Sequence, residues 1–453
     1  MANESSVSTR LASHVAQFRN NSWDPDVLRR TELCLLDSLS CYSAGLSLKH
    51  FEPSIAVAGK LLSPSSNGYR SKDRFSSFAM AYLYGQAANS LDYDDTLFGH
   101  PGAPIIGAVL SVGAREGLSL DRLLRGISAG YEAHTVLGAA SVPSHERAAQ
   151  VRSVGVWDTV AASIGVGVAL DFDDSMLERV IGVAVAHSLL PYTAKWYERP
   201  VPAVKNNLGW AAAGAVLSID LVTAGQTGVT RALDGDAGMW QMAGSDRWDF
   251  EQALDEKPAV LRVGFKAFPV CWHLQEYLKT LSQLLKNISP DDEIVEIVLT
   301  GPDEVEKFCE PDILGTADVA FSLPAAFSLL ISGVEPGPQW DSVNDQPAVL
   351  RYRDVFRYER SGDRTIIIHV RKGLASSAAV GLSDSVDLAP WGLDAEGVLA
   401  KHERLSDAAL CAAVAAALPA GSPSVRNVVP DRLYAVVERM MTDRESELEA
   451  RKP

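Results

Sequence analysis

The chain has 453 residues, 47% apolar and 22% charged, the composition of a globular protein too long for one ordinary core. Its formal net charge of -16 excludes the basic face that a nucleic-acid partner needs, so an anionic substrate would have to be met by local Lys and Arg. Five scattered cysteines with no Cys-x-x-Cys pair support neither a disulfide framework nor a thiolate metal or iron–sulfur site.

No basic stretch followed by an apolar one opens the chain, and no run of about 18 uncharged apolar residues occurs. Neither a signal peptide nor a membrane span is therefore predicted, and the expected compartment is the cytoplasm. In chain order, the spacing of Ala, Leu, Gly and Val predicts helices over 27–44, 78–89, 105–116, 120–137, 157–170, 175–190 and 209–223. Asp121, Asp158 and Ser175 stand at or near helix starts, where short polar side chains cap free amides. Past about residue 265 the texture changes. The β-branched runs 293–299 and 365–370 predict strands, with helices over 321–330 and 395–402. Helical periodicity returns at 407–417 and 431–444. The fold class is mainly α, an all-helical first half followed by a smaller α+β part.

Two segments carry chemistry. In Leu91-Asp92-Tyr93-Asp94-Asp95-Thr96-Leu97-Phe98-Gly99-His100-Pro101-Gly102-Ala103-Pro104, three carboxylates, a hydroxyl and an imidazole fall within nine residues at the end of a predicted helix. A packing segment has no use for that much charge, because unpaired buried carboxylates are costly, so the turn reads as an active-site loop. Removing a proton next to a carboxylate needs a base with a pKa near neutrality, and His100 fits. Asp92 is expected to orient or charge-stabilise it, and Thr96 to bind a carboxylate or hydroxyl. Asp94 and Asp95 either share that work or only cap and solvate.

The second segment is Phe265-Lys266-Ala267-Phe268-Pro269, with Cys271 and His273 beyond it. Lys266 among apolar neighbours predicts a partly buried cation that grips a carboxylate or stabilises an enolate. Cys271 reads as packing, since no activating partner is evident. Asp171-Phe172-Asp173-Asp174 echoes the first motif but lacks the Thr and the His-Pro, and capping explains it. No His-Glu-x-x-His, P-loop or nucleophile-elbow motif is present.

The acidic-aromatic-acidic-acidic-Thr run with its His-Pro turn resembles the signature of the MmgE/PrpD family, which includes 2-methylcitrate dehydratases, cis-aconitate decarboxylases and an iminodisuccinate epimerase. The likeness is strongest between Ser76 and Ile181 and returns at 264–271. It implies a helical domain of residues 1–265 and 405–453, an α+β lid domain of residues 266–404, and a homodimer. It also implies that Asp92, Thr96 and His100 line the active site and that Lys266 contacts substrate. Three positions depart from the family pattern. Arg152 stands where relatives have a second histidine, Ala325 falls near a family tyrosine, and Lys205 matches a family lysine only with a one-residue shift, with Lys195 a neighbouring candidate.

These departures remove acid/base groups and keep or add cations. Arg152, Lys205 and Lys266 remain to hold a small polycarboxylate, with His273 beside them. Proton transfer falls to His100 with Asp92, supplemented from Tyr192, His187 or His145. The resemblance therefore implies a lyase, a dehydratase or decarboxylase, working on a small acid through a carbanion or enolate without metal or organic cofactor. An isomerase or epimerase, or a silent metabolite-binding relative, is the alternative.

Overall fold

The computed structural model describes residues 5–61, 75–203, 206–254, 257–289, 292–345, 351–371, 377–381, 392–418 and 427–451. The first half runs through α1 (Val7–Asn20), α2 (Pro25–Leu46), α3 (Glu52–Leu61), α4 (Ser77–Asn89), α5 (Gly102–Glu116), α6 (Leu120–Ala140) and α7 (His145–Gln150). It continues through α8 (Asp158–Ala169), α9 (Asp174–Ala184), α10 (Leu208–Thr223) and α11 (Phe250–Ala253).

Caps set the starts. Ser6, Ser76, Ser119 and Asp173 each accept from the amide three residues on. Asp121 and Asp158 are not the caps expected of them. Asp121 instead accepts from Trp23 Nε1 at 2.7 Å and Arg125 Nε at 2.6 Å, and Asp158 turns inward. Small residues decide how close the helices come. A Cβ on Gly126 would stand 2.5 Å from the Gly165 carbonyl oxygen, so α6 and α8 lie backbone to backbone. A two-residue ribbon interrupts the helical half, β1 (Val151–Arg152) pairing antiparallel with β2 (Tyr192–Thr193), Arg152 opposite Tyr192.

The second half contains α12 (Gln275–Leu285), α13 (Asp303–Glu306) and α14 (Leu323–Ile331) around a four-stranded sheet of β3 (Glu293–Gly301), β4 (Phe356–Arg360), β5 (Thr365–Arg371) and β6 (Ser377–Gly381). The sheet order is β4-β3-β5-β6, with β3 and β4 parallel and the other pairs antiparallel. Alternate residues Ile366, Ile368 and Val370 of β5 are buried against a core shared with Leu278, Leu281 and Phe327.

Two cores result, one from the helices and one from this α+β part. The chain then returns through α15 (Ala395–Leu405), α16 (Ala408–Ala417) and α17 (Asp431–Ala450). Leu433, Val437 and Met441 lie in the helical core, and Tyr42 donates to the Val437 carbonyl at 2.7 Å. Val398 of α15 lies in that core too, and the buried Lys401 ammonium is 2.7 Å from Asp37 of α2. Residues 395–404, expected in the lid, thus pack on the helical side. Among the described residues no helix is long and apolar enough to cross a membrane.

Candidate active site

The two segments singled out in the sequence meet in space. Thr96 and Gly264 form an isolated antiparallel bridge, each amide donating to the other's carbonyl, at 2.9 and 3.0 Å. This pairing lays the loop after α4 along the strand-like approach to Lys266. Gln275 at the start of α12 steadies the turn beyond Lys266, its side chain satisfying the amides of Ala267 and Phe268 and the carbonyls of Phe268 and Val270. Tyr93 donates to the Ala267 carbonyl at 2.8 Å and ties the same two segments again.

All three carboxylates of the loop are buried, and each has its own partner. Asp94 Oδ1 lies 3.1 Å from Nδ1 of His100, and both Asp94 oxygens accept from Asn89 Nδ2 at 3.0 and 3.1 Å. Asn89 in turn accepts from Asn206, which is 3.3 Å from the Tyr192 hydroxyl. Asp94 is therefore the residue that orients His100, the role expected of Asp92. Asp92, held at a left-handed φ of 51°, faces the other ring nitrogen, Nε2, at 3.8 Å.

Lys266 is fully buried and gives its ammonium to the Asp92 carboxylate and, at 2.7 Å, to the Asp92 carbonyl. It does not line the cavity above the loop, and this differs from the direct grip on substrate expected of it. Its charge is spent on Asp92. Ligand atoms of Asp92, Asp94 and His100 lie within 4.8 Å of one another, a spacing that could hold a cation, but the Lys266 ammonium already supplies the countercharge there.

Asp95 accepts from the Tyr131 hydroxyl at 2.5 Å and the Gly102 amide at 3.0 Å. Burial, reinforced by the nearby Asp37 charge, pushes its carboxyl up to about 7. Gly102 is required here, since a Cβ would meet Asp95 Oδ1 at 2.6 Å.

The cavity above the loop has a volume of 380 Å³, within the roughly 300–1,000 Å³ usual for small-molecule sites. Thr96, His100, Arg152 and His273 all line it, drawn from three distant stretches of chain. The Thr96 hydroxyl donates to the Gly99 carbonyl at 2.8 Å, so towards the cavity it offers lone pairs. Arg152 reaches the cavity from β1, its guanidinium 5.2 Å from the centre of the Tyr197 ring. His273 lies against Trp272 on the α+β side, the ring centres 3.8 Å apart and tilted by 31°, so the cavity spans the contact between the two cores. Lys205 lies outside the described residues. Ala325 is buried in α14 and Lys195 is an exposed partner of Glu198, neither lining the cavity. Of the supplementary acid/base groups, Tyr192 lines it, while His187 and His145 do not.

Sequence reasoning missed a buried ion pair in the cavity wall. His134 of α6 places Nδ1 2.7 Å from Asp158 and Nε2 2.8 Å from the Leu97 carbonyl. Both acceptors call for a donating nitrogen, which favours the imidazolium. Burial opposes that charge, but Asp158 and the Leu97 carbonyl outweigh it and raise the pKa. Arg262, also unforeseen, brings a second guanidinium to the lining.

The fold and site thus define a mainly α, two-core protein with a buried carboxylate–imidazole pair beneath a cation-bearing cavity. A sequence model of the MmgE/PrpD N-terminal domain matches residues 9–251, more than half of the chain, and the chain belongs to the MmgE/PrpD family. Membership supports, broadly, an enzyme of the dehydratase and lyase type. None of the curated proteins matches the chain.

Proposed function

We propose that the protein is a lyase that removes a proton from carbon next to a carboxylate of a small acid, with His100 as the base. The observation that carries this reading is His100 in the cavity wall, backed by Asp94, which like Asp92 lies behind the lining. An ionised Asp94 accepts only, so it holds the Nδ1–H tautomer and leaves the Nε2 lone pair to take the proton. Arg152 and Arg262 bring positive charge to the substrate carboxylate, where it lowers the energy of the carbanion as charge flows onto the carboxylate oxygens. Thr96 accepts from a hydroxyl or a protonated carboxyl group. In a dehydration the β-hydroxyl leaves as water, taking up a proton as its bond to carbon breaks. In a decarboxylation no proton is removed first: the carbanion forms as carbon dioxide departs and leaves the C–C electron pair on carbon, and the His100 imidazolium supplies the one proton that quenches it. Lys266 supplies the countercharge of Asp92 beside the reacting nitrogen.

An isomerase is the second reading. It is favoured by His273, a second imidazole lining the same cavity and able to return a proton from another direction. Proton NMR in deuterium oxide separates the two, using cis-aconitate, citrate, 2-methylcitrate, itaconate, and malate- and aspartate-derived acids. Deuterium incorporation with loss of water or carbon dioxide identifies the lyase. Incorporation with inversion alone identifies the isomerase. No incorporation into any acid that binds rejects both.

A further inference from the structure

The cations of the cavity account for only part of its wall. Residues 138–157 contribute Val142, Pro143, Ala148, Val151 and Trp157, an apolar flank without a counterpart in a site built only for carboxylates. Phe98 adds a half-buried phenyl ring, and its backbone is held at a φ of 52°. That left-handed conformation is disfavoured for a bulky residue and persists only where surrounding structure enforces it. Phe98 packs closely on α6, where a Cβ on Gly138 would meet Phe98 Cβ at 3.0 Å. The chain therefore accepts backbone strain and a glycine inside α6 to keep an aromatic ring in the cavity. At the outer end Val142 is 47% exposed, so the flank runs from the ring towards solvent.

We infer that the substrate is a small carboxylic acid carrying an apolar arm, its carboxylate drawn to Arg152 and Arg262 and its arm lying along Phe98, Trp157 and Val142. This rests on the proposed function for where the carboxylate sits, and adds what the rest of the substrate is made of. Apolar contact is non-directional, so the flank selects for alkyl length more than for one shape. A tricarboxylate would have to place a charged group along Phe98, Pro143 and Val142, whose side chains give it no hydrogen bond in exchange for lost water, while the polar Ser141, Arg152 and Ser153 of the same stretch serve the carboxylate end.

Isothermal titration calorimetry of the full chain with succinate and straight-chain 2-alkylsuccinates up to hexyl tests the inference. The expected result is an affinity that rises about fourfold per added methylene until the arm passes Val142. Phe98→Ala should reduce the increment for the first methylenes. Val142→Ser, at an exposed position where folding is not at stake, should reduce it for the last. Affinity that stays level or falls along the series overturns the inference, as does binding of succinate alone or of no member. So does a series whose slope both variants leave unchanged. Deuterium exchange followed in the same samples keeps the two claims apart. A rising series without exchange sinks the lyase reading and leaves the arm. Exchange with a level series does the reverse.

Discussion

Asp94 Oδ1 stands 3.1 Å from Nδ1 of His100, while Asp92 faces the opposite ring nitrogen at 3.8 Å. One imidazole is thus flanked by two carboxylates. In the proposed mechanism Asp94 holds the tautomer, and Asp92, paired with Lys266, lies beside the nitrogen that exchanges protons. Asp94→Asn should therefore lower turnover by about two orders of magnitude or more while leaving the fold intact, because an amide can hold the wrong tautomer. Substrate affinity measured alongside should change little.

The Lys266–Asp92 pair makes a prediction about stability. Lys266→Met leaves a buried carboxylate without countercharge and should cost about 3–5 kcal/mol in urea unfolding. Asp92→Asn in the same chain should recover much of that loss. Equal destabilisation by the single and double variants would show that Lys266 contributes packing alone.

Asp95 should make stability fall as pH rises through the acidic range. Its folded-state carboxyl, pushed up to about 7 by burial, stays protonated while the unfolded chain's ionises near 4. The folded state then holds the extra proton, so stability declines from about pH 4 until Asp95 itself ionises near 7. Asp95→Asn should flatten that decline in unfolding curves taken at successive pH values.

His134 acts in a higher window. Its folded pKa is raised, so its contribution is complete below the ordinary histidine value of about 6.5 and is lost as pH climbs through the folded value. Nitrogen-15 spectra taken through a pH series should show His134 losing its second ring proton at higher pH than an ordinary histidine. Asp158→Asn should move that loss to lower pH.

The sequence makes the helices legible because their Ala and Leu periodicity is local, and the loop because buried charge has few structural uses. It leads to His100 and Thr96 for the same reason. His134 and Asp158 escape it. One sits in a helix that reads as core and the other at a helix start that reads as a cap, and only the packing of α6 against α8 joins them. The division of labour between Asp92 and Asp94 is equally invisible, since two residues two apart in a turn face different ways only once φ at Asp92 is known. Lys266 shows the limit from the other side. Its apolar neighbours predict partial burial where the structure buries it fully, and which anion it meets depends on a bridge between residues 96 and 264.

The most direct test is the rate at which solvent deuterium enters carbon next to a carboxylate, measured for the native protein and for His100→Asn with the same bound acid. The native protein should exchange, and the variant should do so about 10²–10⁴-fold more slowly with binding retained. Exchange at the native rate in His100→Asn would contradict the assignment of His100 as the base.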